Sequence, residues 1–124
     1  ALKWYHLAAE QGHSDAQLNL GAMYRNGRGA PENFVLAAEW YRIAAKQGHP
    51  LAQDNLGVLY YFGHGVSQNN LTAHMWSNLA FIGGSIEAGP RRDFIAEEMT
   101  QDDLAIAQDM AKKCMDSQYQ NCGD

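Results

Sequence analysis

Ala37-Ala38-Glu39-Trp40-Tyr41-Arg42-Ile43-Ala44-Ala45-Lys46-Gln47-Gly48-His49 decides the fold of this chain. Ala37, Trp40, Tyr41, Ala44 and Ala45 fall at i, i+3, i+4, i+7 and i+8, which draws one apolar stripe along a helix. Asn33 stands just before it, where a side-chain oxygen can accept from a free first-turn N–H. Gly48 stands just after it, where a left-handed residue commonly ends a helix.

Working outward, the same pattern returns at a step of 36 residues, which carries Trp4 to Trp40 and Trp40 to Trp76. The step also carries Ala8-Ala9 to Ala44-Ala45, Gln11-Gly12-His13 to Gln47-Gly48-His49, Asn19-Leu20-Gly21 to Asn55-Leu56-Gly57, and Asn33 to Asn69. In all, 17 of the first 36 residues recur identically one period later, too many for chance. A period of this length signals stacked supersecondary units, with the tryptophans nested between neighbours.

Each period holds a second helix, from about Asp15 to Arg25 and again from about Leu51 to Tyr61. Its inward face reads Ala16, Leu20 and Tyr24, then Ala52, Leu56 and Tyr60, and Pro50 takes the first helical position, where a missing N–H costs nothing. His13 and His49 recur at the helix start and read as polar caps. Gly21 and Gly57 lie inside the helix at a cost of ~1 kcal/mol each relative to Ala, so a close approach by the Ala pairs of the neighbouring helix is expected to offset it. Gly27-Arg28-Gly29 and Gly63-His64-Gly65 supply positive φ where the chain reverses.

The pattern Ala-x-x-Trp-Tyr-x-x-Ala-Ala-x-x-Gly, followed by Ala-x-x-x-Leu-Gly-x-x-Tyr-x-x-Gly-x-Gly, resembles the Sel1-like repeat, a relative of the tetratricopeptide repeat. A tetratricopeptide array differs in its period of about 34 and lacks the Gly-x-Gly loop. The resemblance implies an all-α, right-handed α-α superhelix of helical hairpins, a solenoid closed by a C-terminal capping helix pair. It also implies an adaptor or scaffold rather than an enzyme. The bounds are a single domain over 1–124. Residues 1–12 form the second helix of a truncated repeat, 13–48 and 49–84 are full repeats, and 85–124 is an atypical repeat and cap.

In that last unit Gly89-Pro90-Arg91-Arg92 replaces the Asn-Leu-Gly element, so a helix is expected from near Gly89 to Met99. Thr100-Gln101-Asp102-Asp103 resembles a capping box and opens a helix from Gln101 to about Asp116, with Leu104, Ala107, Ala111 and Cys114 inward. The Arg-Asp…Met-Thr…Ala-Gln run looks like the closing segment of bacterial Sel1-like proteins, which implies a natural C-terminal end. The start at Ala1-Leu2-Lys3-Trp4 reads as partway through a repeat, so a targeting segment is readily imagined as removed.

The apolar share of 46% and charged share of 19% describe a globular chain. A formal charge of -5 without any basic run argues against nucleic acid and anionic membranes as partners. The longest apolar run, Leu56 to Phe62, is far short of the ~20 residues that cross a bilayer. No His-Glu-x-x-His spacing joins the scattered His6, His64 and His74, and no Gly-x-Ser-x-Gly is present, so no catalytic residue, metal or cofactor is assigned.

A solenoid of this kind binds through its concave side, usually lined by the first helix of each pair. Positions there that do not recur are free to carry specificity for a protein or peptide: Asp15, Leu18, Ala22 and Arg25, then Asp54, Val58, Tyr61 and Phe62. Tyr61 and Phe62 either anchor a partner or pack against the third hairpin. Asn19 and Asn55 either bond a loop carbonyl of their own repeat or bond a bound peptide; the first is preferred, because buried amides need satisfying in every repeat. Cys114 and Cys122 fall where the last helix ends, and a bridge there would tie the tail back; the alternative is two free thiols. The bridge places the chain in the periplasm or outside, free thiols in the cytoplasm. Two rival roles stay open: a cell-envelope hydrolase or glycan binder using aromatics near Trp76 and His74, and a structural spacer of a longer protein.

Overall fold

The computed structural model describes residues 2–122; Ala1, Gly123 and Asp124, which the repeat bounds above include, lie outside the described residues. Seven helices follow in order: α1 (Leu2–Glu10), α2 (Ser14–Asn26), α3 (Phe34–Ala45), α4 (Pro50–Phe62), α5 (Asn70–Ile82), α6 (Ala88–Ala96) and α7 (Gln101–Asp116). No strand occurs among the described residues. α2 packs on α3 and α4 on α5 as antiparallel hairpins, and each hairpin stacks on the last through α1–α2, α3–α4 and α5–α6 contacts, giving the helical solenoid.

The repeated residues build the repeated bonds. Asn33 and Asn69 cap α3 and α5, accepting from the Leu36 and Thr72 backbone N–H groups at 3.0 and 3.2 Å. Their own backbone N–H groups donate back to the Tyr24 and Tyr60 carbonyls at 2.8 and 3.0 Å, which closes each Gly-x-Gly loop. Gly27 and Gly63 end α2 and α4 in the left-handed region, at φ 69° and 72°. Tyr24 and Tyr60 are held by the preceding second helix: the Tyr24 hydroxyl meets His6 Nε2 at 3.0 Å, and Arg42 Nη2 donates to the Tyr60 hydroxyl at 2.7 Å.

Gly21 and Gly57 do mark close approaches, although not to the alanine pairs. A Cβ at Gly21 would lie 2.7 Å from the Tyr41 ring, and one at Gly57 would lie 3.1 Å from the Ala73 carbonyl oxygen. His13 and His49 occupy the N-cap positions of α2 and α4 without capping through their side chains. His49 Nε2 instead meets Asp15 Oδ1 at 2.7 Å, across the repeat boundary.

Burial of the tryptophans is graded. Trp76 is fully buried, Trp40 is half-buried with its ring edge-on to His6 at 5.9 Å, and Trp4 is 74% exposed. Trp40 packs on α1 of the unit before its own, and no helix precedes α1 among the described residues. The core runs through Tyr41, Leu56, Met75, Trp76 and Leu79 to Ala111, Cys114 and Cys122.

The closing helices differ from a simple pair. α6 stops at Ala96, three residues before the expected Met99, and a turn leads to Thr100, whose hydroxyl caps α7 by accepting from the Asp103 N–H at 3.1 Å. α6 and α7 each pack chiefly on α5. Cys114 and Cys122 form a disulfide. Between them Gln118 and Tyr119 take positive φ of 57° and 66°, and Tyr119 reverses the chain over Gly48.

Candidate functional site

Residues of α2 and α4 face α6 across a groove of about 380 Å³. Arg25, Asn55, Val58, Tyr61 and Phe62, all nominated by the repeat, line it together. The far wall is Pro90, Arg91, Phe94 and Ile95 of α6, with Ser77 of α5 at the base. Departure of the last unit from the repeat hid these residues.

Other nominated positions fall elsewhere. Asn19 and Ala22 border a smaller depression of about 180 Å³ beside Tyr5. Leu18 is half-buried against the core, and Asp15 is an exposed residue at the start of α2, paired with His49. Asp54 is corrected outright: it is 2% exposed and ion-paired with Arg91, so it is not open to a partner. Burial raises the Asp54 pKa, Arg91 opposes that rise, and Glu87 adds to it.

Among the described residues the expected loop bonds of Asn19 and Asn55 are also not made. The amides that do tie each repeat together are those of Gln17 and Gln53, both buried, whose Nε2 atoms donate to the Ala9 and Ala45 carbonyls at 3.1 Å. Asn55 is thereby left facing the groove.

Tyr61 and Phe62 differ in their surroundings. The Tyr61 hydroxyl donates to both Glu98 carboxylate oxygens at 2.9 Å, which raises its pKa, and its ring sits edge-on to Phe94 at 6.0 Å. It therefore packs on the third unit. Phe62 stays 59% exposed and Phe94 55% exposed, each edge-on to Tyr61. Stacking of Phe62 on His64 at 5.5 Å, and of His64 on Phe34 at 4.6 Å, extends this aromatic rim onto the Gly63-His64-Gly65 loop.

Two groups in the groove carry unused hydrogen-bonding capacity. Ser77 is fully buried and its Oγ has no partner. Arg25 has no carboxylate partner among the described residues; its guanidinium lies beside the buried Tyr41 hydroxyl, where it opposes the upward pKa shift that burial imposes. Of the rival surface around Trp76 and His74, Trp76 is fully buried, while the nearly buried His74 borders a depression of about 330 Å³ with Asn78, Arg92 and Asp93.

The Sel1 repeat model matches residues 1–13, 14–49 and 50–85. The chain belongs to the Sel1 repeat family. Among solved structures, this Sel1 repeat chain is similar to a protective antigen of uropathogenic Escherichia coli strains that displays the same fold, with a TM-score of 0.91 and 29% identity over 96% of this chain. The chain spans 27% of that antigen's length. It is also similar to a Sel1 repeat protein from Oxalobacter formigenes, with a TM-score of 0.71 and 38% identity over 73% of this chain and 68% of the other. The comparison with curated proteins returns no match. Sel1 repeats are generally non-catalytic scaffolds, commonly used in protein–protein interaction. No described helix is long and apolar enough to cross a membrane.

Proposed function

We propose that the chain is a protein- or peptide-binding scaffold, and that the groove between α2, α4 and α6 is the surface that holds the partner. The observation that carries this reading is the rim: Phe62 and Phe94 are each more than half exposed beside a groove whose base holds an unpartnered Ser77 hydroxyl. Exposed aromatics around a partly desolvated floor are what interfaces use as anchors. The Cys114–Cys122 bridge supports a site of action in an oxidising compartment, such as a periplasm or the extracellular space.

Peptides selected from a random display library on the immobilised chain test the groove. They are expected to lose at least tenfold in affinity for a Phe62→Ser, Phe94→Ser double variant with unchanged helix content. Equal binding to the variant overturns the assignment of this face.

A further inference from the structure

Resting on that reading, the polar lining narrows what the groove accepts. Three groups in it can donate: the Arg25 guanidinium, which lies beside the Tyr41 hydroxyl and has no carboxylate partner among the described residues, the unpartnered Ser77 hydroxyl, and the Asn55 amide. Of the carboxylates close to the groove, Asp54 pairs with Arg91 and Glu98 accepts from Tyr61. In a chain of net charge -5, a cation with no carboxylate partner among the described residues, set beside a buried hydroxyl, leaves a place for an anion from outside. The remaining surface, from Val58, Pro90 and Ile95, is apolar.

We propose that the groove binds the C-terminal residue of a partner chain, with the main-chain carboxylate on Arg25 and Ser77 and a large apolar side chain against Val58 and Ile95. Donors and apolar wall share one groove of about 380 Å³, so the ligand must carry both chemistries close together. A terminal residue does so, because its carboxylate and its side chain leave the same Cα. An internal acidic residue does not, because neighbouring side chains of an extended segment point to opposite faces.

The test uses the ¹⁵N-labelled chain and three small probes: N-acetylphenylalanine, its C-terminal amide, and acetyl-aspartyl-phenylalaninamide, whose only carboxylate is on a side chain. Titration with the acid is expected to shift the amide signals of Asn55, Val58 and Ser77, and the amide is expected to bind at least tenfold more weakly. Arg25→Gln, and separately Ser77→Ala, should reduce the preference for the acid. Equal shifts from acid and amide overturn the carboxylate assignment while leaving the groove as a binding surface. Equal or tighter binding of the aspartyl probe overturns the choice of a chain terminus. No shift in the groove from any probe overturns this proposal; the groove itself then stands or falls by the Phe62 and Phe94 variant above. Should Arg25→Gln fail to fold, the comparison of acid with amide on the unaltered chain still decides.

Discussion

Gln47 Nε2 donates to Gln17 Oε1 at 2.8 Å, while Gln17 Nε2 donates to the Ala9 carbonyl at 3.1 Å, so both ends of the Gln17 amide are satisfied. The recurring partner Gln53 makes only the second of these bonds, and its Oε1 is buried without a partner. Each buried bond contributes about 0.5–1.5 kcal/mol, whereas an unpaired buried oxygen costs about 1–3 kcal/mol. Gln17→Met should therefore lower stability clearly, and Gln53→Met should be close to neutral. Urea denaturation of both variants checks this. Equal losses would show that the two amides do the same work despite their different bonding.

Gly21→Ala reverses an ordinary expectation. Helix propensity alone favours Ala by ~1 kcal/mol. The new methyl, however, would sit 2.7 Å from the Tyr41 ring, which is fully buried and has no room to retreat. Overpacking of this kind costs about 1–3 kcal/mol, so net destabilisation is expected in thermal or urea unfolding. A stabilised variant would mean that α2 slides away from α3 at little cost.

His74 makes stability depend on pH. Burial lowers its pKa below the usual 6.5, Arg92 adds to the lowering, and Asp93 opposes it. The native state then binds fewer protons than the unfolded chain between the lowered value and 6.5, so the stabilisation is full above 6.5 and is lost as pH falls through the folded value. His74→Gln should flatten that part of the stability profile. An unchanged slope would assign the acid sensitivity to other groups.

Reduction of the Cys114–Cys122 bridge should cost about 2–3 kcal/mol, the loop-closure value for a short loop. The tail is further held by Tyr119 over Gly48 and by Gln120 Nε2 on the Lys46 carbonyl at 3.4 Å. Hydrogen exchange in the α3–α4 turn should therefore quicken on reduction, because the cover over Gly48 loosens. Unaltered exchange there would confine the effect of the bridge to α7.

The hairpins were legible because their defining residues act locally: Asn33 and Asn69 cap, Gly27 and Gly63 terminate, and the apolar stripe sets the buried face. Four groove-lining residues, Arg25, Val58, Tyr61 and Phe62, stand where the repeat varies, whereas Asn55 recurs. The opposing wall was not legible, because α6 abandons the pattern and its contacts are non-local. One signal was available. Asp54 pairs with Arg91 and Tyr61 with Glu98, and both separations are 37, one period plus one. Complementary residues at that offset mark where the first helices of successive units touch. Asn19 and Asn55 misled because recurrence was equated with structural necessity, while the adjacent Gln17 and Gln53 carry that role.

The bonds that join one unit to the next constrain how such a chain can change length. Adding or deleting a whole 36-residue segment reproduces every cap, tyrosine anchor and glutamine tie at the new junction. Inserting a single residue within α4 would rotate everything beyond it by about 100° around the helix, carrying Tyr60 away from Arg42 and Tyr61 away from Glu98. Growth and shrinkage by recombination are therefore quantised, and the groove survives only in arrays that keep α4 beside α6.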